Sequence, residues 1–395
     1  MRVLQAPSNI ANQAWTMAQG LRAHGHEVQV WQYGLSPFGF SADRVFEHEE
    51  GPDSYLEALD DALALEPDVV HFHFARSLIP AASKLPWYWD LPVWRAKGTR
   101  IVFTFHGSDV RLKSHHLAED RWSYYKYAEV ACDEDRIAGQ LAVIRSYADL
   151  LTVGSVLDLP YVPEAIYVPK PVETDRLPMV GPVRRRRPVV LHAPSLRSTK
   201  GTEFVLAGLE RLREEGASFE VDLVEGLAHD ELIGRVTDAD IVVDQLLTGE
   251  IGVSSLEAMA LGKVAVARVR SEVRDRHPDL PVVGTDPDTF VEVMTELLGS
   301  AALRADLGAR GRAYVVEHHD AAVIGRQLEE LYQGIRPRGV PAIMPGWTAP
   351  QVQRRLVKAQ ETIEVLKGKN QQLRNILMER AVKARTDRGG KRPGA

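Results

Sequence analysis

The residues best placed to do chemistry lie between Asp240 and Val269. An apolar strand pattern from Asp240 to Asp244 ends in a loop holding Gly249 and Gly252, and a helical pattern starts near Val253. Free amides at such a helix start, with the positive end of the helix dipole, can hold a diphosphate. Gly249 and Gly252 let the backbone approach the anion closely. Glu257 follows about one turn in, where a carboxylate can accept hydrogen bonds from ribose hydroxyls. The bland alternative is a plain strand-loop-helix corner with a solvated glutamate, because glycine corners are common.

A second constellation is His192-Ala-Pro-Ser195-Leu-Arg197-Ser-Thr-Lys200-Gly201-Thr202, a strand running into a loop and then a helix. Lys200 can neutralise phosphate as a point charge, Arg197 can add a forked contact, and Ser195 lies in the same loop. The alternative is an exposed cation beside a helix cap. A third is His106-Gly107-Ser108-Asp109, just past the strand Arg100 to Phe105. A lone histidine at a strand end is more often structural than catalytic, and Asp109 is either a contact to a bound group or a helix cap. In the first loop, Asn9 and Asn12 offer amide hydrogen bonds near donor or acceptor, or simply cap the loop. His71 and His73 share one face of a strand. With no third ligand at useful spacing, no zinc site is expected. Asp238-Ala-Asp240 mimics a metal-binding triplet but precedes a buried strand, so it reads as helix-end polarity.

Alternating elements must position these groups. Val3 to Gln5 reads as a strand, Gln13 to Ala23 as a helix through Trp15, Ala18 and Leu21, and Glu27 to Trp31 as the next strand. Tyr55 to Leu65 is helical, and Asp68 to His73, Arg100 to Phe105 and Leu150 to Val153 are strands. Pro169, Pro171, Pro178 and Pro182, then Arg184 to Arg187, mark a connection. The alternation restarts with a strand at Pro188 to His192, a helix at Thr202 to Arg213 and a strand at Phe219 to Val224. It continues with a helix at Glu231 to Val236, a helix at Ser254 to Leu261 and a strand at Val264 to Val269. The expected fold class is α/β, with two doubly wound Rossmann-like domains facing a cleft, residues 1–172 and 188–335, joined by a linker at 173–187.

The 395 residues suit about two domains. One cysteine, Cys132, excludes an intrachain disulfide and a Cys-rich zinc site and suits a reducing compartment. The chain opens Met-Arg-Val-Leu without an apolar signal region, and no apolar run approaches the roughly 20 residues of a membrane helix. A cytoplasmic location is expected, with contact at the inner membrane surface through the basic end. The net charge is −6, yet residues 351–395 hold twelve Lys/Arg against four Asp/Glu, a local +8 that leaves −14 on the rest. That is not the footprint of a nucleic-acid enzyme.

The stretch Gly249 to Lys263, with Leu256-Glu257-Ala-Met-Ala-Leu-Gly-Lys263, resembles the donor-binding signature of retaining glycosyltransferase family 4. The Lys200 loop, the His106-Gly107 pair, the Asp68 to Phe74 strand and the Leu157 to Val172 segment extend the resemblance over about residues 1 to 335. It implies a GT-B fold and a metal-independent, retaining hexosyltransferase using a UDP- or GDP-sugar as substrate, with no cofactor and an acceptor left open. In that register Glu257 holds the ribose, Gly252 and Val253 supply diphosphate amides, and His106 meets a sugar hydroxyl. The family's first glutamate falls on Gly249 here, so Glu250 is the stand-in, and its usual arginine falls on Ser195, so Arg197 substitutes. The shifted glutamate keeps a second reading open, a non-catalytic GT-B protein that binds a nucleotide sugar or supports a partner. A GT-B epimerase would need acid and base groups across the cleft that the sequence does not identify.

Beyond the resemblance, Val352, Leu356, Ala359, Ile363, Leu366, Leu373 and Leu377 recur in steps of three and four, with Asn370 on the seam. That pattern predicts a heptad helix over 350–382, followed by a basic, disordered tail over 383–395, and the stripe offers either a homodimer contact through Val352–Leu377 or packing on the chain's own body.

Overall fold

The computed structural model describes residues 1–46, 52–80, 83–182 and 185–337. The heptad segment, its dimer contact and the basic tail lie outside the described residues.

The first domain is built on seven parallel strands: β1 (Arg2–Ala6), β2 (Glu27–Tyr33), β3 (Arg44–Phe46), β4 (Val69–His73), β5 (Arg100–Phe105), β6 (Leu150–Val153) and β7 (Ile166–Tyr167). They lie in the order β3-β2-β1-β4-β5-β6-β7. Register sets Val3 between Val28 and Val69, and Phe72 beside Phe103, so apolar residues run across the sheet. The second domain has five parallel strands: β8 (Val189–His192), β9 (Glu220–Leu223), β10 (Ile241–Val243), β11 (Val264–Ala267) and β12 (Val283–Gly284), in the order β12-β11-β10-β8-β9. Both orders reverse direction once, between β1 and β4 and between β8 and β10. Open α/β sheets bind ligands at the carboxyl ends beside such a reversal.

Helices cover both sheets because their apolar stripes need burial. Gln13–Ala23 buries Ala14, Met17, Ala18 and Leu21 on the first sheet. Thr202–Glu214 buries Val205, Leu209 and Leu212 on the second, against Phe290, Met294 and Leu297. The last described helix, Ala321–Gly334, departs from the 188–335 boundary. Its Ile324, Leu328 and Tyr332 pack into the first core with Val3 and Met17. A Cβ on Gly20 would overlap the Ala321 carbonyl, so glycine there sets the close approach of the two helices. The Tyr332 hydroxyl lies 2.6 Å from Nδ1 of His71. Apolar spacing shows that this helix has a buried face but not which core receives it.

Among the described residues, no helix is long and apolar enough to cross a membrane.

Candidate functional site

The carboxyl ends of both sheets meet around a cavity of about 520 Å³. Its first-domain wall comes from the loops after β1, β2 and β4, contributing Pro7 to Ala11, Gln32 to Phe38 with Phe40, and Arg76. Its second-domain wall comes from the loops after β8, β9 and β10, including Ser195, Lys200, Gly226, His229, Val253 and Glu257. Five residues named from the sequence therefore share one cavity: Asn9, Ser195, Lys200, Val253 and Glu257. Its volume is in the range of small-molecule sites.

The helix Val253–Ala260 starts at this cavity, with Gly252 as its N-cap. Gly249 has φ +76°, and a Cβ on Gly252 would overlap the Asp244 carboxylate. That carboxylate orders the corner. Its Oδ2 accepts from the Ser255 hydroxyl at 2.8 Å, and its Oδ1 accepts from Nζ of Lys200 at 2.7 Å. Lys200 also donates to Oε1 of Gln245 at 3.0 Å. Burial would raise the Asp244 pKa, but the Lys200 charge and the hydrogen bonds outweigh it and hold it below the ordinary value. The ammonium of Lys200 is thus fixed beside the helix start, part-open to the cavity.

Glu257 is buried, and its Oε1 lies 2.6 Å from Nε2 of His229. That hydrogen bond raises the His229 pKa, against the opposing effect of burial. The other Glu257 oxygen has no hydrogen bond within the described residues. His229 also ties the domains together. Its backbone N–H donates to the Phe38 carbonyl at 2.8 Å, and its ring meets Phe40 edge-on at 5.5 Å. The β2–β3 loop is thereby fastened across the mouth of the cavity.

His106 and Glu250 lie outside that cavity and converge on a third residue. Nζ of Lys170, from the segment after β7, donates to Oε1 of Glu250 at 3.0 Å and to the Ile251 carbonyl at 2.9 Å. Oε2 of Glu250 is buried without a hydrogen-bond partner among the described residues. Burial raises the Glu250 pKa, Lys170 opposes that, and Asp158 adds to it. His106 is held neutral, chiefly by burial and then by the Lys170 charge. Its Nε2 faces Nδ1 of His73 at 3.1 Å, and His73 Nε2 meets Oε1 of Gln5 at 2.8 Å. Asp109 caps this turn, its Oδ1 accepting from the His106 amide at 2.9 Å, and burial pushes its pKa to about 7.

The remaining sequence candidates sit elsewhere. Arg197 pairs with Glu203 at 2.9 Å and Glu225 at 3.5 Å and does not line the cavity. Asn12 accepts from Asn9 at 3.0 Å and lines a smaller neighbouring cavity that also reaches Glu257. His71 is locked between Tyr332 and the Thr104 hydroxyl, 2.6 Å away. Asp240 accepts from the Val189 amide at 2.8 Å and faces Arg185 at 3.2 Å, a structural role at a strand start. Asp244, His229 and Lys170 were not among the sequence candidates. Only the two prolines flanking Lys170 hint that its backbone is held.

The family model described as Glycosyltransferase Family 4 matches residues 10–137, which hold His106 and Asp109 but not the Gly249–Lys263 stretch. No curated protein matches. Among solved structures, sucrose-phosphate synthase from Thermosynechococcus elongatus aligns with a TM-score of 0.58 at 15% identity, covering 84% of this chain and 98% of its own. HepE from Anabaena, in complex with UDP and glucose, aligns with a TM-score of 0.57 at 13% identity, covering 85% and 100%. A glycosyltransferase from Rickettsia africae gives 0.56 at 12%, covering 84% and 97%. At these identities the likeness establishes the fold, which is GT-B.

Proposed function

We propose that this GT-B chain, which resembles glycosyltransferase family 4, transfers a hexose from a UDP- or GDP-sugar to a hydroxyl acceptor with retained anomeric configuration. The observation that carries the reading is the shared cavity, where Lys200, the Val253 helix start and Glu257 face the first-domain loops. These three offer a cation, free amides and a carboxylate, which match a diphosphate and a ribose in chemistry and in chain order.

In the transfer, the bond from the sugar's anomeric carbon to the diphosphate oxygen breaks, the acceptor hydroxyl oxygen bonds to that carbon, and the hydroxyl proton passes to the departing diphosphate oxygen. Charge then develops on the leaving diphosphate. Lys200 and the helix amides are already fixed where that charge appears, so they stabilise it without reorganising and without a metal. Asp244 acts as a positioning residue for Lys200. His106, held neutral, can exchange hydrogen bonds with a sugar hydroxyl, and Glu250 with Lys170 supports the sugar side.

Titration calorimetry with UDP and GDP tests the donor assignment. One nucleotide should bind saturably, and Glu257→Ala should weaken it by about 1–3 kcal/mol, the scale of hydrogen bonds to a charged group. An unchanged affinity would remove Glu257 from the site. The family's first glutamate position is Gly249 here, which favours a second reading, nucleotide-sugar binding without transfer. Release of nucleoside diphosphate on addition of acceptor decides against it.

A further inference from the structure

Gln5, His73 and His106 form a polar chain that runs from inside the first sheet to the sugar-side histidine. Strand register sets Gln5 of β1 beside His71 of β4, and His73, two residues further on, lies on the same face. His106 is the first residue past β5, the neighbour of β4. Gln5 and His73 are fully buried. Oε1 of Gln5 lies 2.8 Å from Nε2 of His73, and Nδ1 of His73 lies 3.1 Å from Nε2 of His106. His71 does not enter this chain. It stacks on the His73 ring at 4.5 Å, but both its nitrogens are engaged, by Tyr332 and by Thr104.

These contacts fix where the protons sit. A neutral imidazole carries one N–H and one bare nitrogen. Burial, with His71 and His106 close by, holds His73 neutral, and burial with the Lys170 charge does the same for His106. The Gln5 oxygen only accepts, so Nε2 of His73 carries its proton and Nδ1 is bare. A bare Nδ1 accepts from Nε2–H of His106, which leaves Nδ1 of His106 without a proton. That atom makes no hydrogen bond among the described residues, in a ring that is only half-buried. One amide oxygen on β1 thus sets the character of a nitrogen two side chains away.

We propose that Gln5 and His73 are positioning residues for His106, holding its proton on Nε2 and presenting Nδ1 as a hydrogen-bond acceptor. His106 then receives a hydrogen bond from a sugar hydroxyl and gives no proton to the departing diphosphate. The inference rests on the reading of His106 as a sugar contact, but the proton placement is measured in the free protein, without a sugar.

The test uses the full chain carrying isotope-labelled histidine. Long-range proton–nitrogen correlation spectra of the ligand-free protein distinguish the two tautomers, and His106→Gln assigns the signal. In the wild-type protein His106 should carry its proton on Nε2. In Gln5→Leu, which removes the acceptor, a measurable fraction should move to Nδ1. Release of UDP from UDP-glucose or GDP from GDP-mannose supplies the rate. His73→Leu should slow release about ten-fold, the scale of one hydrogen bond, while UDP affinity stays within about two-fold. His73→Asn should recover part of that rate, because its amide oxygen can accept from His106. A wild-type His106 with its proton on Nδ1 overturns the proposal, and that spectrum stands as the test if Gln5→Leu does not fold. A tautomer unchanged in Gln5→Leu, or an undiminished rate in His73→Leu, also overturns it. Release of neither nucleotide by the wild-type protein counts against the transfer reading instead, and the tautomer spectra then decide the positioning claim alone.

Discussion

Lys170 of the first domain and Glu250 of the second form an ion pair of 3.0 Å, mostly shielded from solvent. The pair neutralises a carboxylate whose other oxygen is buried without a partner among the described residues. It also brings the two candidate catalytic side chains, His106 and Glu250, under one positive charge.

Removing Lys170 should therefore cost more than removing the pair. Lys170→Ala is expected to destabilise the fold by about 1–3 kcal/mol, because it strands a largely buried carboxylate. Adding Glu250→Gln to that variant should restore part of the loss. Denaturant titration of the two singles and the double supplies the cycle, and strictly additive losses would show that the pair is not coupled.

Lys200→Ala should lower the transfer rate by ten- to a hundred-fold, on the order of one electrostatic contact to the leaving group. Asp244→Asn should reproduce part of the defect, since it loosens the ammonium without deleting it. The rate of nucleoside diphosphate release measures both. Full activity in Lys200→Ala would mean another cation carries the leaving charge.

His106→Ala is expected to reduce transfer while UDP binding stays nearly intact, because His106 lies outside the cavity that holds Lys200 and Glu257. Parallel calorimetry and turnover assays separate the two effects. Loss of nucleotide affinity equal to the loss of rate would move His106 to the nucleotide.

These roles were unequally legible in the sequence. Gln13–Ala23, Arg100–Phe105 and Leu150–Val153 appear where their apolar spacing sets them. Glu257 and Lys200 could be named because helix starts and glycine loops carry local signals. The partners that give them meaning are distant in sequence. Asp244 reads as the polar end of a buried strand, and only the folded loop shows it gripping Lys200, 44 residues away. His229 reads as an ordinary helix-start residue, yet it meets Glu257 across 28 residues and the Phe38 carbonyl from the other domain. Short edge strands such as Ile166–Tyr167 and Val283–Gly284 are too brief to leave an alternating pattern. Arg197 shows the converse limit: residue type suggests an anion site, but neighbouring Glu203 and Glu225 draw it outward.

The His229–Glu257 contact predicts a pH dependence. A histidine whose folded pKa is raised contributes stability that is complete below the ordinary value of about 6.5 and lost as pH rises through the raised value. The strap from Phe38 to Phe40 should accordingly hold more firmly at mildly acid pH. Imidazole proton shifts followed by NMR should place His229 above the ordinary value in the wild-type protein and lower in Glu257→Gln. Identical titration curves would mean Glu257 does not set that charge.

The most direct test of the central claim is a crystal structure of the protein with bound UDP. The account predicts the diphosphate against Nζ of Lys200 and the amides at Val253 and Ser254, with the ribose hydroxyls on the Glu257 carboxylate. Nucleotide bound away from these residues, or none bound at saturating concentration of UDP or GDP, would contradict it.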